Sequence, residues 1–395
     1  MKDLIFSTSL FVSILFFCIT AILGITYDGT GTLYRNVCIL TFAICMTTFF
    51  ICSHARLDIR SFFSIIVLLV YFIAGVLSGY VFDKSFLCFT AFSIPASCVG
   101  LHYGHRGSII RLVKWLDVIC VLLSVSLFLF VGNLRWAIVN GDADYSQNLS
   151  YFASLAFLID LFMLIRGSDY DRFRLFETKV MRAISIIMLV FYPLIVFLSG
   201  GRGGFVVIII GIIAFLFSYK GRRRITMFAG LGFVLISFII VFYFVSSTDS
   251  FSVFQQNSGR VFSYIDQGGI NMAETSGRDV VYRESWDLFL SKPIDGYGLF
   301  TYKSHLYSVT YPHNLLLEFL LQGGLLLALP LLLLLFVFFS KYVSIYRVNP
   351  SVIMVLPFIV YSFTKLMFSG SYMEEPFFWF SLMFVFNYKP QLESR

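Results

Sequence analysis

Long strings of apolar residues constrain this chain more than any other feature. Residues 205–217 and 325–339 each run without one polar side chain. A stretch of about 17–25 apolar residues, wound as a helix, matches the hydrocarbon thickness of a bilayer. In lipid every backbone polar group must be paired internally, so only helices and closed barrels span. A barrel would alternate apolar and polar residues in segments of about ten, and these runs do not alternate. Composition agrees, with 58% of the 395 residues apolar and only 13% charged, against about 25% charged in soluble domains. The 48 Phe and 22 Tyr exceed what one soluble core of this size encloses. An ordinary soluble enzyme, a disordered chain and a disulfide-stapled secreted domain are therefore excluded.

The expected fold class is an all-α polytopic membrane protein with about twelve transmembrane helices. They are read at 4–23, 36–52, 62–80, 86–101, 115–132, 149–165, 183–198, 204–219, 225–246, 314–338, 351–369 and 376–388. The first follows Lys2 like a signal peptide, but it ends Ala21-Ile22-Leu23-Gly24 without a small-x-small cleavage site, so it is read as a span. The seven Cys all lie inside apolar runs, with no CxxC or Cys/His metal spacing, and read as small packing residues.

The net charge of +7 is explained by its placement. With the N-terminus cytoplasmic, 19 of the 29 basic residues fall on inner loops and termini. The short outer loops hold only Arg35, Lys84, Arg135 and Arg202. That asymmetry follows the positive-inside rule and puts both termini in the cytoplasm; it is not a nucleic-acid surface, and no nucleic-acid partner is expected. Residues 1–246 then carry nine spans, 247–312 form one large periplasmic loop with short helices, and 314–388 carry the last three spans of a single integral membrane domain. A loop of that length in a compact protein usually carries function. Asp160 and Lys365 lie within spans, but near their ends, where pairing with Arg166 and with Glu374 or Glu375 explains them most simply.

Three segments could carry chemistry. Ser199-Gly-Gly-Arg202-Gly-Gly204 forms an outer hairpin, whose glycines permit a tight turn and let a ligand approach the main chain. Exposed amides there would cradle an anion, with Arg202 supplying a fork for phosphate oxygens; the bland reading is a glycine-rich turn with a snorkelling Arg. Thr275-Ser-Gly-Arg278 opens a short helix that Thr275 or Ser276 caps and Pro293 stops, before the Gly296-Tyr-Gly298 turn. Val281, Ser285, Leu288 and Phe289 share one side of it, as on a helix lying at the membrane surface. Arg278 sits in its first turn, where the helix dipole disfavours a cation, which points to an anionic ligand or to an ion pair with Glu274 or Asp279. Tyr311-Pro312-His313-Asn314 opens the tenth span, followed by Glu318 and Gly323-Gly324. Pro312 suits the first helical position, so His313 and Asn314 lie at an anion-attracting helix N-terminus. The positive potential there favours a neutral imidazole, able to accept a proton near pH 7.

These segments, in this order, resemble the O-antigen polymerase and O-antigen ligase superfamily of bacterial inner-membrane proteins. The resemblance rests on Arg202 in a small-residue hairpin, Gly277-Arg278, the Pro293 to Gly298 turn and His313-Asn314. It covers about 199–330. Ligases tend to show a glycine three residues beyond the position of Gly324, where this chain has Leu327, so the resemblance leans toward polymerase. It implies glycosyl transfer from a polyprenyl-diphosphate-linked oligosaccharide at the periplasmic face, with no cofactor, neither nucleotide sugar nor metal. Arg202, Arg278 and His313 are then the expected catalytic residues. Arg202, Arg278, Arg283, Asn314, Tyr311 and Glu318 are the expected contacts to diphosphate or glycan. The expected partners are the lipid-linked glycan, the bilayer and a polysaccharide chain-length regulator. A ligase acting on lipid A–core is the alternative, and a flippase for the same lipid is the rival from another class.

Overall fold

A computed structural model describes residues 59–80, 83–106, 110–139, 143–166, 174–199, 201–219, 221–246, 277–307 and 311–389, with 40, 43, 169, 170, 265, 266, 269, 270 and 309 between them. Among the described residues the regular elements are helices, apart from one two-residue pairing, β1 (Ile265–Asp266) against β2 (Gly269–Ile270). The helices are α1 (Ile59–Leu77), α2 (Lys84–Cys88), α3 (Ile94–Arg106), α4 (Ile110–Val139), α5 (Ala143–Arg166), α6 (Lys179–Leu198), α7 (Arg202–Ser218) and α8 (Arg222–Ser246). After the pairing come α9 (Arg278–Ser291), α10 (Leu315–Val348), α11 (Leu356–Phe368) and α12 (Pro376–Asn387).

Five segments among the described residues are long and apolar enough to cross a membrane: Lys84–Gly104, Gln147–Arg166, Lys179–Phe197, Leu315–Val348 and Pro350–Phe368. Ser64–Leu77, Arg202–Ser218 and Pro376–Asn387 are shorter apolar helices. The expected spans at 4–23 and 36–52 lie outside the described residues, apart from Leu40 and Ala43. The tenth differs from expectation in both length and continuity. It runs ten residues further, to Val348, and breaks at Gly323 (φ −145°, ψ 24°) and Gly324 (φ 54°, ψ −152°).

Helix α5 is the hub of the bundle, packing on α4, α6, α7 and α11, while α3 packs along α12. Cys88, Cys98 and Cys120 are buried, as small packing residues should be. Large exposed apolar residues such as Ile209, Phe217, Leu333 and Phe336 face outward. Such a surface is tolerated in a bilayer and not in water. Arg166 pairs with Asp169 at 2.5 Å, three residues away rather than across the helix turn at Asp160. Lys365 does take the partner its position suggested, with Nζ 2.7 Å from Glu375 Oε2.

Candidate functional site

One end of the bundle gathers all three segments that the sequence singles out. Helix α7 starts at Arg202, with Gly201 as its N-cap in an extended conformation. The two glycines that follow Arg202 do not lie open to a ligand. A Cβ on Gly203 would stand 2.6 Å from Tyr151 Cζ, and one on Gly204 2.7 Å from the Ser150 carbonyl oxygen. Ser150 Oγ also donates to the Gly201 carbonyl at 2.6 Å. The small residues let α7 close onto α5, as small residues do between membrane helices. What remains presented is the half-buried Arg202 side chain.

Tyr151, buried on α5, is where two of the motifs meet. Its ring lies against Gly203, its hydroxyl is within electrostatic range of Arg278 and Tyr282, and the Lys365 ammonium sits 5.8 Å from its ring centroid. Arg278 is the first residue of α9, and it is half-buried. Thr275, Ser276 and Glu274 lie outside the described residues, and the N-cap is instead Gly277. Its φ of 78° lets the chain turn into the helix, without a side-chain cap. No ion pair or hydrogen bond holds Arg278 among the described residues, so the alternative of a neutralising pair with Asp279 is not what the fold builds. The helix ends at Ser291, just before Pro293, as expected. Val281, Ser285 and Phe289 are its buried face, with Leu288 packed beside them. Arg283 lies on the exposed face.

The third segment departs from expectation at its first residues. Helix α10 begins at Leu315, so Pro312 lies before the helix, and Asn314 is the N-cap. Its Oδ1 accepts from Leu316 N at 3.0 Å and Leu317 N at 3.2 Å, the usual role of Asn at that position. The Asn314 oxygen therefore serves the helix before it serves any ligand. His313 adopts φ 53°, a conformation costly for a residue with a Cβ and concentrated at functional sites. Its ring packs edge-on to Tyr311 at 4.6 Å between centroids. Tyr311 in turn packs on the small core of Phe289, Tyr302, Leu306 and Leu321 beneath α9.

Glu318 is 1% exposed, and its carboxylate organises the layer below. Oε1 accepts from Tyr302 Oη at 2.8 Å, Ser371 Oγ at 2.5 Å and Gln322 Nε2 at 3.5 Å, while Oε2 accepts from Tyr372 N at 3.4 Å. Burial, then the neighbouring Glu318 carboxylate, pushes the Tyr302 hydroxyl well above its ordinary range, so it stays a proton donor. A second clasp ties the same loops together. Lys303 Nζ pairs with Asp83 Oδ1 at 2.9 Å and bonds Ser85 Oγ, which bonds Glu374.

The sequence reading missed Tyr151, Tyr302, Lys303 and Ser371. A tyrosine or serine in an apolar segment carries no distinctive spacing, and only the packing of α5, α9 and α11 reveals these partners.

Residues 184–332 match a protein-family model described as O-antigen ligase. This segment is similar to the O-antigen ligase family. The match encloses Arg202, Arg278, Arg283, Tyr311, His313, Asn314 and Glu318, and it bears out the superfamily resemblance those residues carry. Members of this family are glycosyltransferase-like enzymes. No curated protein and no solved structure matches the chain.

Proposed function

We propose that this protein is an O-antigen-type polymerase of the bacterial inner membrane. It moves a growing glycan from polyprenyl diphosphate onto a new lipid-linked repeat unit at the periplasmic face, without a metal ion. The observation that carries this reading is the meeting of the Arg202 hairpin and the α9 N-terminus at Tyr151, inside the segment similar to the O-antigen ligase family. In the reaction, the acceptor hydroxyl oxygen bonds to the anomeric carbon as that carbon's bond to the diphosphate oxygen breaks. The leaving diphosphate gains negative charge. Arg202 and Arg278 offer preorganised charge and forked donors to it, the form of catalysis that most lowers such barriers. His313 takes the proton released by the hydroxyl.

A flippase for the same lipid would use its broken helix to bind cargo near the membrane midplane. Here the break in α10 is filled by the chain itself: Tyr297 N and Gly298 N donate to the Leu321 and Gln322 carbonyls at 2.8 and 2.7 Å. Leu325 N and Leu326 N donate to Pro293 and Ile294 at 2.8 and 3.1 Å. That supports a rigid catalytic platform over a transport site. The ligase alternative keeps the family model's own description; Leu327, packed against Gly323 where ligases favour glycine, supports polymerase.

The test is the surface glycan ladder of a deletion strain complemented with wild type, Arg278→Ala or His313→Ala. A deletion that leaves one repeat on lipid A–core, rescued by wild type and by neither variant, fits a polymerase. Lipid-linked polymer accumulating with no attached repeats would make it a ligase. A deletion strain with its ladder intact would sink both.

A further inference from the structure

Helix α9 carries a second feature, on the face turned away from its core. A groove of about 440 Å³ runs along it, lined in its polar part by Asp279, Arg283, Glu284, Asp287, His305 and Tyr307. We infer that this groove binds the oligosaccharide of the lipid-linked substrate, holding neutral sugar residues through Arg283, Asp287 and Tyr307. The inference rests on the reading of the protein as a glycosyltransferase and extends it from the diphosphate to the glycan.

Three observations carry the choice of ligand. First, the groove mixes donors with acceptors, and its key groups are uncommitted. Residues 279, 283 and 287 are spaced at i, i+4 and i+8, where a ladder of ion pairs would be ordinary. Yet Arg283 makes no ion pair or hydrogen bond among the described residues, and no side chain there engages the Asp287 carboxylate. Sugar hydroxyls, each both donor and acceptor, would satisfy both groups. Second, three carboxylates against Arg283 and His305 make the groove unsuitable for a diphosphate. The anionic end of the substrate is therefore directed to Arg278, at the first turn of the same helix. The chain would present diphosphate at one end of α9 and sugars along it. The helix is 14 residues long, so the track extends about 20 Å. Third, the far wall is aromatic, and its backbone is anchored to α9. Tyr307 is 93% exposed, while its backbone N–H donates to Glu284 Oε1 at 2.6 Å. The His305 ring packs on Tyr297 at 4.5 Å. A flat ring presented at the rim suits the apolar face of a sugar, and a tyrosine has only two side-chain torsions to freeze on binding.

The experiment uses the full-length protein in detergent micelles. The probe is the free oligosaccharide repeat unit released by mild acid from the host's own lipid-linked intermediates, and polyprenyl diphosphate without sugar serves as the second ligand. Equilibrium binding is measured for wild type, Asp287→Ala, Tyr307→Ala and Arg278→Ala. Asp287→Ala and Tyr307→Ala should each weaken oligosaccharide binding about tenfold, the loss of roughly one good polar or stacking contact, and leave polyprenyl diphosphate binding unchanged. Both side chains are exposed, so normal thermal unfolding is expected, and it is checked alongside. Arg278→Ala should do the reverse. Oligosaccharide binding equal to wild type in both groove variants overturns the inference. So does an absence of oligosaccharide binding in a wild-type protein whose Arg278→Ala variant loses the glycan ladder; the functional reading then stands without the groove. Oligosaccharide binding lost in the groove variants, in a protein whose ladder ignores Arg278→Ala, keeps the groove and removes the reaction.

Discussion

Gly296 and Gly324 lie back to back across the break in α10. A Cβ built on Gly296 would stand 2.6 Å from the Gly324 amide nitrogen, and one on Gly324 2.6 Å from the Pro293 carbonyl oxygen. Both have positive φ, 62° and 54°, which glycine adopts readily and other residues do not. The Pro293–Gly298 turn and the Gly323–Gly324 pair, separate motifs in the sequence, are thus one junction. It fixes the loop carrying Tyr302 and Lys303 to the helix carrying Glu318.

Replacing Gly324 with Ala should therefore be severe. The backbone conformation alone costs about 1–3 kcal/mol for a residue with a Cβ, and the Ile294 carbonyl leaves the methyl no room. Gly230→Ala is the matched control, since nothing lies within 4 Å of a Cβ there. In a helix interior that exchange should be neutral or stabilising by about 0.5–1 kcal/mol. Thermal unfolding of the detergent-purified variants distinguishes them. Equal melting temperatures would show that the junction is not the constraint it looks.

Glu318 should behave as a structural centre rather than as a reacting group. Glu318→Ala strips the acceptor from the Tyr302 and Ser371 hydroxyls, and each buried donor left unsatisfied costs about 1–3 kcal/mol. Glu318→Gln keeps one acceptor oxygen and the side-chain volume, so it should lose much less. Surface glycan should follow the amount of folded protein in both variants. Full stability with no glycan in Glu318→Gln would place the carboxylate in the chemistry instead.

The helical membrane fold was legible because apolar runs are a long-range signal that no single contact overrides. The ion pairing of Lys365 was legible for a related reason, since a buried ammonium needs a nearby carboxylate. The helix start was read three residues early, at Pro312, because the sequence marks a helix start but not which residue caps it. Gly203 and Gly204 were assigned to a ligand when Tyr151 and Ser150 occupy that space. Contacts between residues fifty positions apart leave no trace in local spacing. The groove on α9 was invisible for the same reason, because part of its polar wall comes from residues 305 and 307.

The ion pair between Lys365 and Glu375 predicts a reciprocal pattern. Glu375 is buried, and besides taking Lys365 it accepts from Phe377 N at 3.4 Å as the N-cap of α12. Lys365→Met leaves that carboxylate without its cation, and removing one partner of a buried pair costs about 3–5 kcal/mol. The double variant Lys365→Met with Glu375→Gln keeps a capping oxygen and no charge, so it should recover most of the loss. Thermal unfolding of the two single variants and the double variant measures the coupling. Additive losses would mean the pair is not an energetic unit.

Arg278 provides the sharpest functional prediction, because no protein group neutralises it among the described residues and it lies at the first turn of α9. A cation at a helix N-terminus is disfavoured by about 0.3–1 kcal/mol, so Arg278→Ala should leave stability unchanged or slightly raised. If the arginine binds the diphosphate, the same change should abolish the glycan ladder. Arg278→Lys keeps the charge but loses the planar fork for paired phosphate oxygens, so it should give a faint or shortened ladder rather than none. Stability and ladder then move in opposite directions, which a purely structural arginine cannot produce. A destabilised Arg278→Ala, losing its ladder in proportion to the protein lost from the membrane, would assign the residue to the fold and leave Arg202 alone to meet the leaving group.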